Sequence, residues 1–420
     1  MIMSIRQENY DVIVIGGGPS GMMAAGTAAE RGKRVLLVEK NKEVGKKLSL
    51  TGGGRCNILN AEEDPKKFIE NYGDSAKFLH STFAQYGMQD AREFFEKKGL
   101  PIVVEARKRA FPESQNASDV TKLMKRYVTS NQVELKADTK VLGFKIENKK
   151  IIGIETKSGL YTADSFILST GGASYKDTGS TGEGISWLKD LGHTVHKSNP
   201  NIVPLKVEED WVKELSGTSL SFMKITFGTN LAKNTGRFSK TGKILFTHFG
   251  VSGPLILNSS YEVKKLLEKG EVKASIDMYP DTEIKTLQNK VLDVFNKNKN
   301  KMLKNVVKEF VPNGLDEAFV AQFSEELQNT KVNSINREER IELVDRLKAM
   351  PLTITGTMGM DWAVISDGGV DLKEIDTKTM RSKFHDNLYF TGDVLHINRP
   401  SGGFSLQLCW TTGHVAGDSV

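Results

Sequence analysis

The sequence predicts an α/β fold: a nucleotide-binding domain with a parallel sheet, interrupted by a long insertion. Three observations carry this. First, two apolar runs, 11–15 (DVIVI) and 34–38 (RVLLV), flank a glycine turn and a small-residue stretch, the pattern of one βαβ unit. Second, a strand-like run near the other end, Leu388 to Phe390, leads through Gly392-Asp393 to a glycine-opened helix at 404–417. Third, the chain changes character between them. It is β-like from 193 to 260, then helical and Lys/Glu-rich to 348.

The intervening elements follow from periodicity and breakers. Residues 20–31 read as a helix closed by Gly32. Segments 89–99 and 118–130 read as helices, with Ser118 as N-cap of the second. Segments 133–136, 139–147, 151–157 and 160–169 read as strands, with a turn at Asn148-Lys149. Residues 182–191 form a helix stopped by Gly192. In the insertion, Ile284, Leu287, Val291 and Val294 keep one apolar face, as do Leu303, Val306, Val307 and Phe310. A chain of 420 residues suits two or three domains.

Composition excludes several classes. A hydrophobic fraction of 38% and a charged fraction of 26% describe a folded globular chain. The net charge of +6 is a mild excess. Its densest stretch, Lys297, Lys299, Lys301, Lys304 and Lys308, reads as a solvated helix and loop rather than a nucleic-acid contact. Val12 to Ala29 carries no charge, but its glycine cluster suits strand, turn and helix, not a membrane span. Cys56 and Cys409 form no redox pair, which fits a reducing cytoplasm. No His/Cys/Asp cluster has metal spacing, so no metal is expected.

The chemistry lies in four glycine-bearing segments. Gly16-x-Gly18-x-x-Gly21 follows a strand and opens a helix at Pro19 and Ser20. There Gly16 makes the turn, Gly18 admits a pyrophosphate and Gly21 packs helix on strand. The helix N-terminus offers N–H groups and a positive dipole end to phosphate. Glu39, with Lys40 after it, ends the second strand, where a carboxylate accepts ribose hydroxyls. The second segment, GKKLSLTGGGRCN (45–57), contains Lys47, Thr51, Gly52, Gly53, Arg55, Cys56 and Asn57. It reads as a loop around an anionic or planar ligand. The third is Thr170-Gly171-Gly172 at a strand end. The fourth is Gly392-Asp393, then Gly403, Phe404 and Ser405 at the start of the last helix. Asp393 suits a ribityl hydroxyl, and that helix start suits the N1/C2=O edge of a flavin. Because NAD has no ribityl chain, the set favours FAD, bound noncovalently.

With these motifs in view the sequence resembles the BaiN-like, HI-type conserved flavoprotein family, also described as aminoacetone-oxidase-like. The resemblance covers nearly the whole chain. It rests on GGGPSGMMAA, GKKLSLTGGGRCN, RAFP (109–112), TGSTGEG (178–184), FTHFGVSGP (246–254), GGVDLKEID (368–376), TMRSK (379–383) and GGFSLQ. It implies a Rossmann-like, glutathione-reductase-like FAD-binding domain over 1–192 and 351–420. It implies a β-barrel-like insertion over 193–260 and 330–350, and a helical subdomain over 261–329. Val141 would offer backbone to the adenine. Where members commonly have Gly-Glu, this chain has Gly392-Asp393.

The function expected is that of an FAD-dependent oxidoreductase. No second strand–GxGxxG–helix occurs, so NAD(P)H, if used, has no dedicated domain. One reading is oxidation of an amine or amino-ketone with oxygen as acceptor. An alternative is NAD(P)H-dependent reduction of an activated C=C. A third, action on RNA, is disfavoured, and the expected partner is a small-molecule substrate. No catalytic side chain is assigned. His248 reads as structural, and Gly250-Val251-Ser252-Gly253 lacks the lysine of a P-loop.

Overall fold

The computed structural model describes residues 9–148, 150–230 and 236–420. They divide into two compact units, one of residues 1–200 and 363–420, the other Asn201–Trp362. Lys149, half of the expected turn, lies outside the described residues.

The strands, in chain order, begin in the first unit with β1 (Asn9–Ile15), β2 (Val35–Val38), β3 (Leu59–Asn60), β4 (Ile102–Glu105) and β5 (Arg109–Pro112). There follow β6 (Glu134–Lys136), β7 (Val141–Glu147), β8 (Lys150–Thr156), β9 (Gly159–Leu168) and β10 (Val195–Asn201). The second unit holds β11 (Leu205–Val207), β12 (Ser219–Gly228), β13 (Arg237–Thr247), β14 (Gly250–Ser252), β15 (Val272–Asp277) and β16 (Met350–Thr357). The chain then returns to the first unit through β17 (Ile365–Val370) and β18 (Leu388–Phe390).

The main sheet has the order β6-β2-β1-β9-β8-β7, with β18 on β9. β1 pairs parallel with β2 and β9, and β18 pairs parallel with β9, Leu388 opposite Phe166. β1 and β2 are buried on both faces, which is why both read as unbroken apolar runs. β3, β4 and β5 form a small sheet, and β10 pairs β17. The first helix, Pro19–Glu30, packs along the last, Phe404–Asp418. Gly413 and Gly417 allow this: a Cβ on either would come within 2.5 Å of Ser20 O or Ala24 O. The helix at Ala117–Ser130 is capped by Asn116, whose side chain accepts from Ser118 N–H, and not by Ser118. Asn116 holds the extended conformation a cap needs, and Ser118 is already helical.

The second unit is a closed barrel in the order β11-β14-β13-β12-β15-β16. Its core includes Ile225, Phe227, Ile244, Phe246 and Ile276. The same core takes in Leu287, Val291, Phe310 and Val344 from the helical segments. The stretch from 261 was expected to be helical throughout, yet Val272–Asp277 is a barrel strand. Its alternation of buried Val272, Ala274 and Ile276 is the strand period inside a Lys-rich region. Gly250 and Gly253 are packing glycines, since a Cβ on them would meet Leu205 O at 2.2 Å and Leu245 N at 2.9 Å. His248 is exposed on the turn between β13 and β14, edge-on to Phe249, and is not a core histidine.

Candidate functional site

β1 ends in the glycine turn. Gly16 N–H donates to Val38 O at 2.8 Å, tying the turn to β2. Gly16 has φ +106°, and a Cβ there would lie 2.6 Å from Ser169 O. A Cβ on Gly21 would lie 1.9 Å from Gly16 O. The protein itself fills the space at both. Gly18 differs. Its φ is −77°, which any residue adopts, and a Cβ there would meet nothing within 4 Å. Neither backbone nor neighbours require glycine at this point, which lies at the start of the first helix. That helix has Pro19 in its first turn and no side-chain cap.

The Glu39 carboxylate is buried and already engaged. Oε2 accepts from Gly17 N–H at 2.7 Å, and Oε1 accepts from the Asn41 backbone and side chain at 2.8 and 2.7 Å. With roughly four acceptor sites, a carboxylate so placed keeps capacity for one further donor. Lys40 donates to Thr181 at 2.9 Å and pairs with Glu183 at 3.1 Å, so it braces the 178–184 loop. Val141 begins β7, two residues after Thr139 donates its N–H to Glu39 O.

The 45–57 loop turns through three left-handed glycines, Gly52, Gly53 and Gly54. A Cβ on Gly52 would meet Asn57 N at 2.9 Å, whereas Gly53 and Gly54 face open space. Thr51 Oγ1 donates to Leu48 O at 2.7 Å. Lys47 Nζ donates to Ser174 Oγ at 2.9 Å, and burial holds its ammonium below the usual lysine pKa while Asp393 opposes the shift. Arg55 is engaged within the protein: it pairs with Glu105, donates to Gln115 at 2.6 Å and lies over Phe111. Cys56 points into the core, and burial raises its thiol to about 12. With its amide oriented to satisfy its neighbours, Asn57 donates to Ala110 O and Leu59 O and accepts from Gly403 N–H at 3.0 Å.

That last bond joins the two ends of the chain. Gly403 itself presses on Leu59, 2.2 Å from a would-be Cβ, and Asn60 donates to Gly402 O at 3.0 Å. A Cβ on Gly392 would meet Ser20 Oγ at 2.7 Å, and one on Gly172 would lie 3.6 Å from Asp393 Cβ. Gly171 adopts φ +75° beside Ser180. The Thr170 hydroxyl is buried against Gly184 and has no hydrogen-bond partner among the described residues. Ser169 and Thr391 share a buried hydroxyl bond of 2.7 Å. Phe404 is a core residue, packed on Phe68 and Tyr72. The last helix starts after Gly403 with no side-chain cap.

Sequence reasoning missed Arg399. Its guanidinium is buried, pairs with Asp393, and donates to Ser405 Oγ at 3.0 Å and Ile397 O at 2.9 Å. Asp393 therefore has one oxygen committed to a cation. The available signal was a lone arginine among the apolar and glycine residues of 388–410. Also missed was a polar lock. His193 bonds Glu374 through Nδ1 at 2.8 Å and Ser382 through Nε2 at 3.0 Å. Ser382 Oγ accepts from Phe384 and His385 N–H, so its proton goes to His193, and the trio, buried at His193 and Ser382 and part-buried at Glu374, is structural. Burial lowers the His193 pKa. Cys409 is also raised to about 12 by burial, so neither cysteine is a thiolate at neutral pH.

A mixed sheet, parallel from β6 through β2 and β1 to β9 and β18 and antiparallel at β8 and β7, with an open, uncapped glycine turn met by a strand, turn and helix from the other end of the chain, defines a nucleotide-binding enzyme of the Rossmann type. The HI0933-like protein Rossmann domain family matches residues 10–419, and the chain belongs to that family. It is an FAD-dependent oxidoreductase. Among curated relatives, it is 29% identical to a 3-dehydro-bile acid delta(4,6)-reductase of Clostridium scindens, over 96% of this chain and 97% of that one. It is 26% identical to a ribosomal RNA dihydrouridine synthase of Escherichia coli, over 96% of each. Among solved structures, a flavocytochrome c3 fumarate reductase in an open conformation shares the fold, with a TM-score of 0.54 and 15% identity over 99% of this chain and 78% of that one. Among the described residues no helix is long and apolar enough to cross a membrane, and no group of His, Cys, Asp and Glu could hold a metal.

Proposed function

We propose that this chain reduces a ring C=C conjugated to a carbonyl, with NAD(P)H as the electron source and noncovalent FAD as the carrier. The observation that carries the cofactor half is Gly18. Its missing side chain answers to no protein atom, which suits a pyrophosphate lying against the start of the first helix. Gly53 offers similar room. In this reading Glu39 takes a ribose hydroxyl and the Val141 backbone meets the adenine. Lys47 and Asn57 hold the loop that covers the cofactor. Asp393, fixed by Arg399, takes a ribityl hydroxyl, and the N–H groups after Gly403 meet the flavin edge. Arg55 acts by shaping that loop, because its guanidinium is already bound to Glu105 and Gln115.

Bound FAD supplies the hydride chemistry. The protein's part is orientation and charge. The uncapped helix start after Gly403 favours negative charge near it, as does buried Lys47. The reductive direction is supported by the relatives. A bile-acid delta(4,6)-reductase and a dihydrouridine synthase differ in substrate, but both names describe hydrogen added across a ring double bond. Their full-length similarity favours this over oxidation of an amine.

The test is anaerobic. NADPH or NADH should bleach the flavin absorbance, and a small cyclic enone should restore it. Bleaching by an amine but not by NAD(P)H, with peroxide on readmitting air, would support the oxidase and defeat the reductase.

A further inference from the structure

The loop from Asp393 to Gly403 carries an imidazole that cofactor holding does not use. In the reading above, the ends of this loop meet the ribityl chain and the flavin edge. Arg399 within it is spent on Asp393, Ser405 Oγ and Ile397 O. His396 is different. Its Nδ1 accepts from Gly368 N–H of β17 at 3.1 Å. An imidazole that accepts at Nδ1 is neutral and carries its proton on Nε2. That Nε2–H has no hydrogen-bond partner among the described residues.

The surroundings hold the ring in that form. His396 N–H donates to Val370 O at 3.2 Å, and a Cβ on Gly369 would lie 2.2 Å from Val394 O, so the loop lies flush on β17. The ring stacks on His196 of β10, with centroids 4.1 Å apart and 19° between the planes. His196 bonds Asp371 through Nε2 at 3.0 Å, so that carboxylate serves His196 and not His396. Asp367, the other acid facing the ring, accepts from Asn199 N–H at 3.0 Å. Burial and then the His196 ring lower the His396 pKa, against the pull of Asp367 and Asp371. All of these groups belong to the first unit.

We infer that His396 is a catalytic residue whose Nε2–H donates a hydrogen bond to the carbonyl oxygen of the substrate. The inference rests on the reductive reading above. As hydride reaches the carbon β to the carbonyl, the electron pair of the double bond moves towards the carbonyl oxygen. The Nε2–H meets that charge and keeps its proton, as a neutral imidazole can. The carbon next to the carbonyl then takes a proton from water.

The test uses the full-length flavoprotein and a cyclohexenone isotopically labelled at its carbonyl. His396→Asn keeps an acceptor where Nδ1 stands and has no atom at Nε2. His396→Gln places an N–H where Nε2 stands. Both should keep their flavin content, which reports that they fold. Infrared difference spectra of the enone on the oxidised protein read the hydrogen bond without turnover. The carbonyl stretch should be lower on wild type and His396→Gln than on His396→Asn. In His396→Asn, reoxidation of the reduced flavin by the enone should slow about 100-fold relative to its bleaching by NADPH or NADH. His396→Gln should recover most of that loss. Wild-type reoxidation should change less than ~2-fold between about pH 7 and 8.5, because the donor does not titrate there. An unchanged stretch and rate in His396→Asn would overturn the inference and leave the reductase reading standing. A rate that falls about tenfold per pH unit would also overturn it, since the acid would then be an imidazolium. Wild type that lowers the carbonyl stretch but passes no electrons from NAD(P)H to the enone refutes the reductase reading alone. Wild type that does neither refutes both.

Discussion

The glycine motifs of the two units differ at one position. In the barrel, Gly250 and Gly253 are small because backbone from β11 and β13 crowds them. In the first unit, Gly16, Gly21 and Gly403 are crowded by backbone in the same manner and Gly392 by the Ser20 side chain, but Gly18 is not crowded. A glycine-rich motif therefore has two physical meanings, close packing of the chain or room for something else. The units also differ in their interiors. The barrel core is built of aliphatic and aromatic side chains, whereas the first unit buries Arg399, paired with part-buried Asp393, and His193, bonded to buried Ser382 and part-buried Glu374.

Substitutions can break this contrast, beginning with the largest effect. Arg399→Leu removes a buried cation and leaves part-buried Asp393 without its ion-pair partner, and should destabilise the protein by about 3–5 kcal/mol, with flavin lost; calorimetry and the visible spectrum report both. Phe227→Ala, in the barrel core, should destabilise by about 3–4 kcal/mol. In contrast, it should leave the flavin-to-protein ratio of the folded fraction unchanged. A parallel loss of flavin would erase the distinction between the units. Gly21→Ala should destabilise by about 1–3 kcal/mol through overpacking against Gly16.

Acid should sharpen the contrast further. His193, His396 and His414 all lie in the first unit, and burial depresses each of their pKa values. A depressed folded pKa means that the unfolded chain takes up the proton first. Their contribution is therefore complete above the unfolded value of about 6.5 and is lost as pH falls through it towards the folded values. Melting followed between about pH 7.5 and 5.5 should show flavin release moving to lower temperature with acid. An unchanged release temperature would contradict this. The smallest effect is expected at the surface, where Arg31→Ala removes the exposed pair with Asp418 and should change stability by under ~1 kcal/mol.

Legibility followed the same division. The βαβ unit was readable because β1 and β2 are buried on both faces and the glycine turn has fixed spacing. The C-terminal strand, turn and helix were readable for the same reasons. The role of Arg55 was not, because its partners Glu105 and Gln115 come from segments that local pattern does not connect. The motifs GGVDLKEID and TMRSK were visible as words, but their meaning needed His193, which bonds Glu374 and Ser382 from a distant segment. In the second unit β15 was hidden by its Lys- and Glu-rich surroundings, since six residues of alternation weigh little in a helical stretch.

The most direct measurement is the flavin-to-protein ratio of Gly18→Glu after reconstitution with excess FAD, beside its melting temperature without flavin. The added side chain meets no protein atom within 4 Å of its Cβ, so the apoprotein should fold with its melting temperature little changed and stay colourless. A yellow variant with full cofactor content would contradict the assignment of that space to FAD.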